Sequence, residues 1–331
     1  MTATTKSTLR TYVPLMIKIA VSLGLIAYLL FIQIENVGDI RRAVSQADPY
    51  LLFVAFSLNV IGYLMCSWRW QILLRAQQFA APLIELIRAY TIGIFFNSFL
   101  PGVMSGDLMR ALDISDRVPS YTRSFLILFV ERLTGMFGLL LLAIIAMPLI
   151  GWEVVSETGI GWILLAVAGI LCTLTAIFLS GQMRAVASRM SCLRGLGWMK
   201  GIVEKINETS MLFAARMRVI YGCIGISVIF QANVVLHYWL IGESLGIDLP
   251  LAVYFAIIPV SLFLMMIPAS VNGIGIREQA FIFLFGQFGL AAELAVSLAW
   301  IAFAMVLLQA VVGGIVFALR RKRSKHAAVR L

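Results

Sequence analysis

The 331-residue chain is 61% hydrophobic and only 13% charged, with a mean hydropathy of +0.98. Soluble domains carry about 25% charged residues, so this much apolar surface needs lipid as its solvent, and continuous runs of about twenty apolar residues exclude the ten-residue alternating strands of a membrane β-barrel. The net charge of +10 is scattered over short loops and the tail without aromatic interleaving, which reads as topology and anionic-lipid contact, not as a nucleic-acid site.

Tyr12–Gln33 is the first predicted span, too long for a signal-peptide core and lacking a cleavage pattern. The second, Tyr50–Trp68, is expected to end at the cytoplasmic face near Arg69 and Arg75. The third, Tyr121–Ile150, must start on that same face, beside Arg117 and Arg123, to reach the acidic loop Gly151–Gly159. Pro82 to Pro119 therefore has to enter and return on one side. Its apolar stretch Tyr90–Leu100 breaks at Pro101 and Gly102 and continues through Gly106, which predicts a re-entrant hairpin. A fourth span, Ile160–Ser180, leads into Gly181–Arg218, where seven basic residues face two acids and a cytoplasmic position is expected.

Val219–Ile241 then crosses to the acidic loop Glu243–Leu249. Leu251–Ile267 breaks at Pro268 and returns through Gly273 and Gly275, a second hairpin from the opposite face, with a full down-and-up crossing as the alternative. Ala291–Leu319 is the last span, followed by the basic tail 320–331. The expected fold is all-α: one integral membrane domain over residues 1–319, about six spans plus two broken hairpins, in the cell membrane with both termini cytoplasmic.

Residues 12–150 and 160–319 share one plan (span, span, broken hairpin, span) with opposite starting sides. Pro101 lies 51 residues after Tyr50, and Pro268 lies 49 after Val219. Pro101, Gly106 and Arg110 recur at the same offsets as Pro268, Gly273 and Arg277. An inverted repeat with interrupted helices is the pattern of alternating-access transporters, with the site at the breaks. Each break frees backbone groups that lipid cannot satisfy, and each restarted helix offers a positive end to an anion.

Arg110 and Arg277 add a planar five-donor fork suited to phosphate. Asn97 and Asn272 lie beside the breaks as further headgroup contacts, or as interhelical glue. Asp107 lies three residues before Arg110 and Glu278 follows Arg277, so both arginines are either ligand contacts or neutralised structural links. Glu131 and Arg132 sit inside an apolar span and point about 100° apart on a helix, so each is expected to pair with another element. Glu85 and Arg88 have the spacing of a surface pair on one helix. His237 is a proton relay or, more simply, an interhelical hydrogen bond. The cysteines show no disulfide or metal pattern, and no nucleotide, metal or cofactor motif appears.

Ser67-Trp-Arg-Trp-Gln-Ile-Leu-Leu-Arg75, Asn97-Ser-Phe-Leu-Pro-Gly102 with Gly106, Asp107 and Arg110, Glu131-Arg132-Leu133, and Pro268 through Gly273-Ile-Gly-Ile-Arg-Glu278 together resemble one family. It is the lysylphosphatidylglycerol synthase transmembrane region family, also called flippase-like after the N-terminal half of the multiple peptide resistance factor. The resemblance covers nearly the whole chain. It implies a lipid-translocating domain, with Asn97, Asp107, Arg110, Glu131, Arg132, Arg277 and Glu278 as the polar motif positions. Full-length synthases carry a cytosolic aminoacyl-transfer domain after the membrane part, whereas here a basic tail follows, so a non-enzymatic relative is expected.

The function expected is a flippase-like transporter moving a polar or anionic-headgroup lipid between leaflets by alternating access. Its partners would be membrane lipids, with no cofactor and no nucleic acid. The alternatives are a non-catalytic membrane partner of a glycosyl- or aminoacyl-transferase, and an ion-coupled transporter of a soluble solute.

Overall fold

The computed structural model describes residues 37–99, 105–118, 120–149, 159–179, 197–266 and 273–319, besides Gly24, Tyr28 and Ser270. Every regular element among them is a helix: α1 Val37–Gln46, α2 Pro49–Ala76, α3 Leu83–Phe99, α4 Ser105–Asp113, α5 Tyr121–Ala146 and α6 Ile160–Leu179, then α7 Gly197–Ala214, α8 Met217–Ser244, α9 Leu251–Met265, α10 Ile276–Gly286 and α11 Ala292–Leu319. The chain is an all-α polytopic membrane protein. Five helices (α2, α5, α6, α8 and α11) are long and apolar enough to cross a bilayer. The predicted first span, Tyr12–Gln33, lies almost wholly outside the described residues.

Local chemistry sets the ends of α2. Asp48 caps it by accepting from the Tyr50 amide at 2.8 Å, and Pro49 occupies the first turn, where no amide donor is needed. The Asp48 amide donates to the Ser244 carbonyl at 3.0 Å, which pins the start of α2 to the end of α8. These two helices pack along one another. One expectation is corrected here: α2 does not stop at Trp68 but runs to Ala76, 28 residues or about 42 Å of helix. Trp70, Leu73 and Leu74 are fully buried against Leu86 and Ile127, and their packing carries the helix past the basic residues that seemed to mark its end.

The two broken segments are short. α3 with 17 residues spans about 25 Å, and α4 with 9 about 13 Å, against a hydrocarbon core of about 30 Å. α9 and α10 have 15 and 11 residues. Each pair packs together as a hairpin. The open end of the first hairpin is closed by charge. Arg117 donates bidentately to Glu85, at 2.9 and 3.1 Å, and Arg88 donates to Asp113 at 3.1 Å. This corrects the expected Glu85–Arg88 pair: each residue finds a partner on the returning leg instead. The second hairpin is closed by rings, with Tyr254 at the start of α9 and Phe285 at the end of α10 5.3 Å apart, edge to face.

The hairpins exchange halves. α3 packs on α2 of its own half and on α11 of the other; α9 packs on α8 of its own half and on α5 of the other. At the first crossing the fit leaves no room for a side chain at Gly313, which abuts the Thr91 carbonyl. Small residues that let backbones approach are the usual means of helix association in lipid, where no hydrophobic force drives it. The outward faces are apolar, as at Trp162, Leu165, Ile84 and Phe53.

Candidate functional site

The break between α3 and α4 brings two glycines face to face. A Cβ on Gly106 would collide with the Gly93 carbonyl and, at 2.6 Å, with the Asn97 carboxamide. That closeness lets Asn97 Oδ1 accept from the Gly106 amide at 2.8 Å, satisfying an orphan donor at the start of α4. Asn97 therefore serves here as a clasp across the hairpin. Four residues on, Arg110 points back over Gly93, whose missing side chain makes room for it: a Cβ there would lie 2.9 Å from Arg110 Cγ.

Arg110 is 6% exposed and lies in a chain of alternating charge. Its Nη2 donates to Glu131 Oε2 at 2.5 Å and its Nη1 to Asp107 Oδ1 at 3.2 Å. The second oxygen of Glu131 accepts from Arg69 Nη2 at 3.3 Å, and the second oxygen of Asp107 accepts from Arg132 Nε at 2.5 Å. Arg69 also donates to Ser227 Oγ at 2.5 Å, tying α8 to the network. The Arg110 guanidinium lies over the rings of Trp70 and Tyr90, 4.3 and 4.2 Å from their centroids. Desolvated cation–π contacts of this kind are worth about 2 kcal/mol.

These side chains line a cavity of about 270 Å³, which reaches from Tyr63 on α2 to Val306 on α11. Among the described residues of its wall, three guanidiniums face two carboxylates, a formal excess of one positive charge. The Nε donors of Arg69 and Arg110 have no acceptor among the described residues. Arg132 is the accessible member, with its side chain 32% exposed while Asp107 and Glu131 are almost fully covered.

The second motif arginine has a different setting. Arg277 donates to Glu278 Oε1 from Nη2 at 3.3 Å, and its guanidinium lies 4.4 Å from the Phe303 ring centroid. The other oxygen of Glu278 accepts from the Gly275 amide at 2.7 Å, capping α10. Gly275 sits at φ 87°, where a side chain would be strained. Gly273, at φ 75°, opens the same turn. Arg277 lines neither this cavity nor its neighbour, so the two motif arginines do not share a compartment. Pro101, Gly102, Pro268 and Asn272 lie outside the described residues.

Glu131 and Arg132, adjacent in sequence, pair with different partners, as their 100° separation on the helix requires. His237 meets the interhelical reading: its Nδ1 donates to the Ala55 carbonyl at 2.8 Å. Arg69, which in sequence has the look of a span-end charge, is a member of the buried network. The signal was present, since an apolar run continues through Ile72, Leu73 and Leu74 and places Arg69 inside the helix. Among the described residues, no group of His, Cys, Asp or Glu is placed to hold a metal ion.

The family model described as lysylphosphatidylglycerol synthase TM region matches residues 15–323. Two UPF0104 membrane proteins of Methanothermobacter thermautotrophicus are 23% and 24% identical over 84% and 86% of this chain, covering 87% and 86% of their own lengths. A UPF0104 membrane protein of Pyrococcus horikoshii is 22% identical over 77% of this chain and 82% of its own. No solved structure matches. With the family model matched over nearly the whole length, the chain is a member of the lysylphosphatidylglycerol synthase transmembrane region family.

Proposed function

We propose that the protein is a flippase-like transporter that moves an anionic-headgroup lipid between leaflets. The observation that carries this is the cavity at Arg110: a polar chamber among membrane helices, with one surplus positive charge and an accessible arginine at its wall. A phosphate entering beside Arg132 neutralises that surplus and gains charge-assisted hydrogen bonds in a low-dielectric site. The acyl chains stay in the bilayer. Ionisable groups at this depth are costly, and a transport path is their usual reason.

Alternating access is supported by the exchanged hairpins, since a shift of one half carries a wall of the other with it. In this reading both hairpins are re-entrant, the two halves form an inverted repeat, and both termini face the cytoplasm of a cell membrane. The chain transports and performs no chemistry of its own, and any net drive comes from a lipid or ion gradient.

The test is reconstitution of purified protein in liposomes with a fluorescent anionic lipid and a membrane-impermeant quencher. Quenching of both leaflets, slowed at least tenfold by Arg110→Ala or Arg132→Ala, is the expected result. A panel of phosphate-bearing lipids, including a polyprenyl phosphate, all moving no faster than in protein-free liposomes would end the transporter reading. Activity of a co-purifying lipid-modifying enzyme that depends on this chain would replace it with the enzyme-partner reading.

A further inference from the structure

Beside the Arg110 cavity lies a second, of about 160 Å³, between α2, α8, α9 and α11. The two are neighbours: Tyr63 and Val306 line both, forming the partition between them. Their linings differ in kind. Among the described residues no charged side chain lines the second cavity; its polar groups are Asn59, Asn233, His237 and the hydroxyls of Tyr63 and Tyr238, whose rings form aromatic walls with Phe230.

The hydrogen bonds of this chamber are half made. His237 Nδ1 must carry its proton, because its partner, the Ala55 carbonyl, can only accept. Asn59 Nδ2, which can only donate, meets Nε2 at 3.4 Å, so Nε2 is the acceptor of a neutral ring. Asn233 Nδ2 donates to the Leu58 carbonyl at 2.9 Å. Both carboxamides have spent donors on the protein, while their Oδ1 atoms accept nothing from the described residues. The chamber thus presents two carboxamide acceptors and two phenol hydroxyls beside its aromatic faces, with no charged side chain among the described lining residues.

That pattern selects its occupant. A charged group would be desolvated without a partner. A hydrocarbon would leave the two carboxamide oxygens unmet. A neutral group with several hydroxyls satisfies both oxygens and lays its carbon faces on the rings. At about 30 Å³ per water, the volume equals that of about five waters, which suits a single ring.

We propose that this second cavity is a subsite for an uncharged, hydroxyl-bearing group, a sugar or polyol, carried on the same lipid whose phosphate occupies the Arg110 cavity. It rests on the headgroup reading above and narrows it to a phospholipid with a neutral polyol beyond the phosphate. Tyr63 then marks the junction between phosphate and polyol.

The experiment compares two short-chain lipids with equal tails and equal charge: phosphatidylinositol, bearing a polyol ring, and phosphatidylmethanol, bearing none. Dissociation constants are measured on the purified full chain in detergent. Two added hydrogen bonds predict phosphatidylinositol binding tighter on the order of tenfold. Asn59→Leu, which removes one of the two acceptors, should cut the ratio to about threefold, and Ala302→Leu, which fills the cavity, should bring the two affinities to within about twofold of one another. Arg132→Ala should weaken both lipids together and preserve their ratio.

Either of the two cavity variants, checked for an intact thermal transition, suffices if the other fails to fold. Equal affinities in the parent, or an unchanged ratio in the folded variants, overturns the polyol subsite and leaves the phosphate site standing. No binding of either lipid overturns the phosphate site, and this inference with it.

Discussion

Glu131 meets Arg110 at 2.5 Å, and the contact joins the helix that follows the first hairpin to the helix that ends it. The same carboxylate reaches Arg69 with its other oxygen, so one residue on α5 positions guanidiniums from α4 and α2. Removing one member of a buried ion pair strands the other, at a cost of about 3–5 kcal/mol. Glu131→Gln should therefore lower stability by roughly that amount, read from thermal unfolding in detergent. Glu131→Asp, which keeps the charge but not the reach, should fall between. An unchanged transition for Glu131→Gln would mean that the network does not hold these helices together.

Arg132 offers the contrast. Its side chain is partly exposed and its partner Asp107 retains Arg110. Arg132→Ala should cost about 1 kcal/mol or less in stability yet weaken anionic-lipid binding on the order of tenfold. Lysine should restore part of the affinity, since it keeps the charge without the fork. Equal losses of stability in Arg132→Ala and Arg110→Ala would remove the distinction between an accessible contact and a buried strut.

Gly106 should tolerate no side chain. An added Cβ would strike the Gly93 carbonyl and the Asn97 carboxamide, prying α4 from α3 and displacing Arg110. Gly106→Ala should destabilise by about 1–3 kcal/mol, the usual cost of overpacking, and abolish lipid movement. Gly222→Ala is the control, because nothing lies within 4 Å of its added Cβ. Similar behaviour of the two variants would count against a close-fitted hairpin.

The bond from Arg117 to Glu85 sets the two ends of the first hairpin side by side. Single cysteines at Gln78 and Asp116 should therefore react with an impermeant maleimide from the same face of the membrane, and that face should be cytoplasmic. Labelling from opposite faces would mean that the segment makes one net crossing of the membrane instead of returning to the face it entered.

Much of this architecture is readable from the sequence because its signals are strong. Apolar runs mark α2, α5, α6, α8 and α11, and the motif residues Asp107, Arg110, Glu131 and Arg132 stand out as charges where lipid forbids them. The harder parts depend on distance. The depth of Arg69 is set by Trp70, Leu73 and Leu74 packing on Leu86 and Ile127, which no local pattern reveals. Glu85 and Arg88 look like partners because helical spacing is local, but the returning leg supplies better ones. The separate compartments of Arg110 and Arg277 follow from how the halves interlock. A sequence comparison of the two hairpins treats them as equivalents and cannot register that difference.

The exchange of hairpins between halves also fixes an order of assembly. α3 reaches the membrane early in synthesis, but its main partner outside its own half, α11, is the last of the described helices to emerge. Until residues 292–319 arrive, the first hairpin holds its buried charges with one side of their enclosure unbuilt. Neither half is then a free-standing folding unit. A nascent chain must wait as an open form, protected by lipid or by the insertion machinery, and close only when α11 slides in against Thr91 and Phe95.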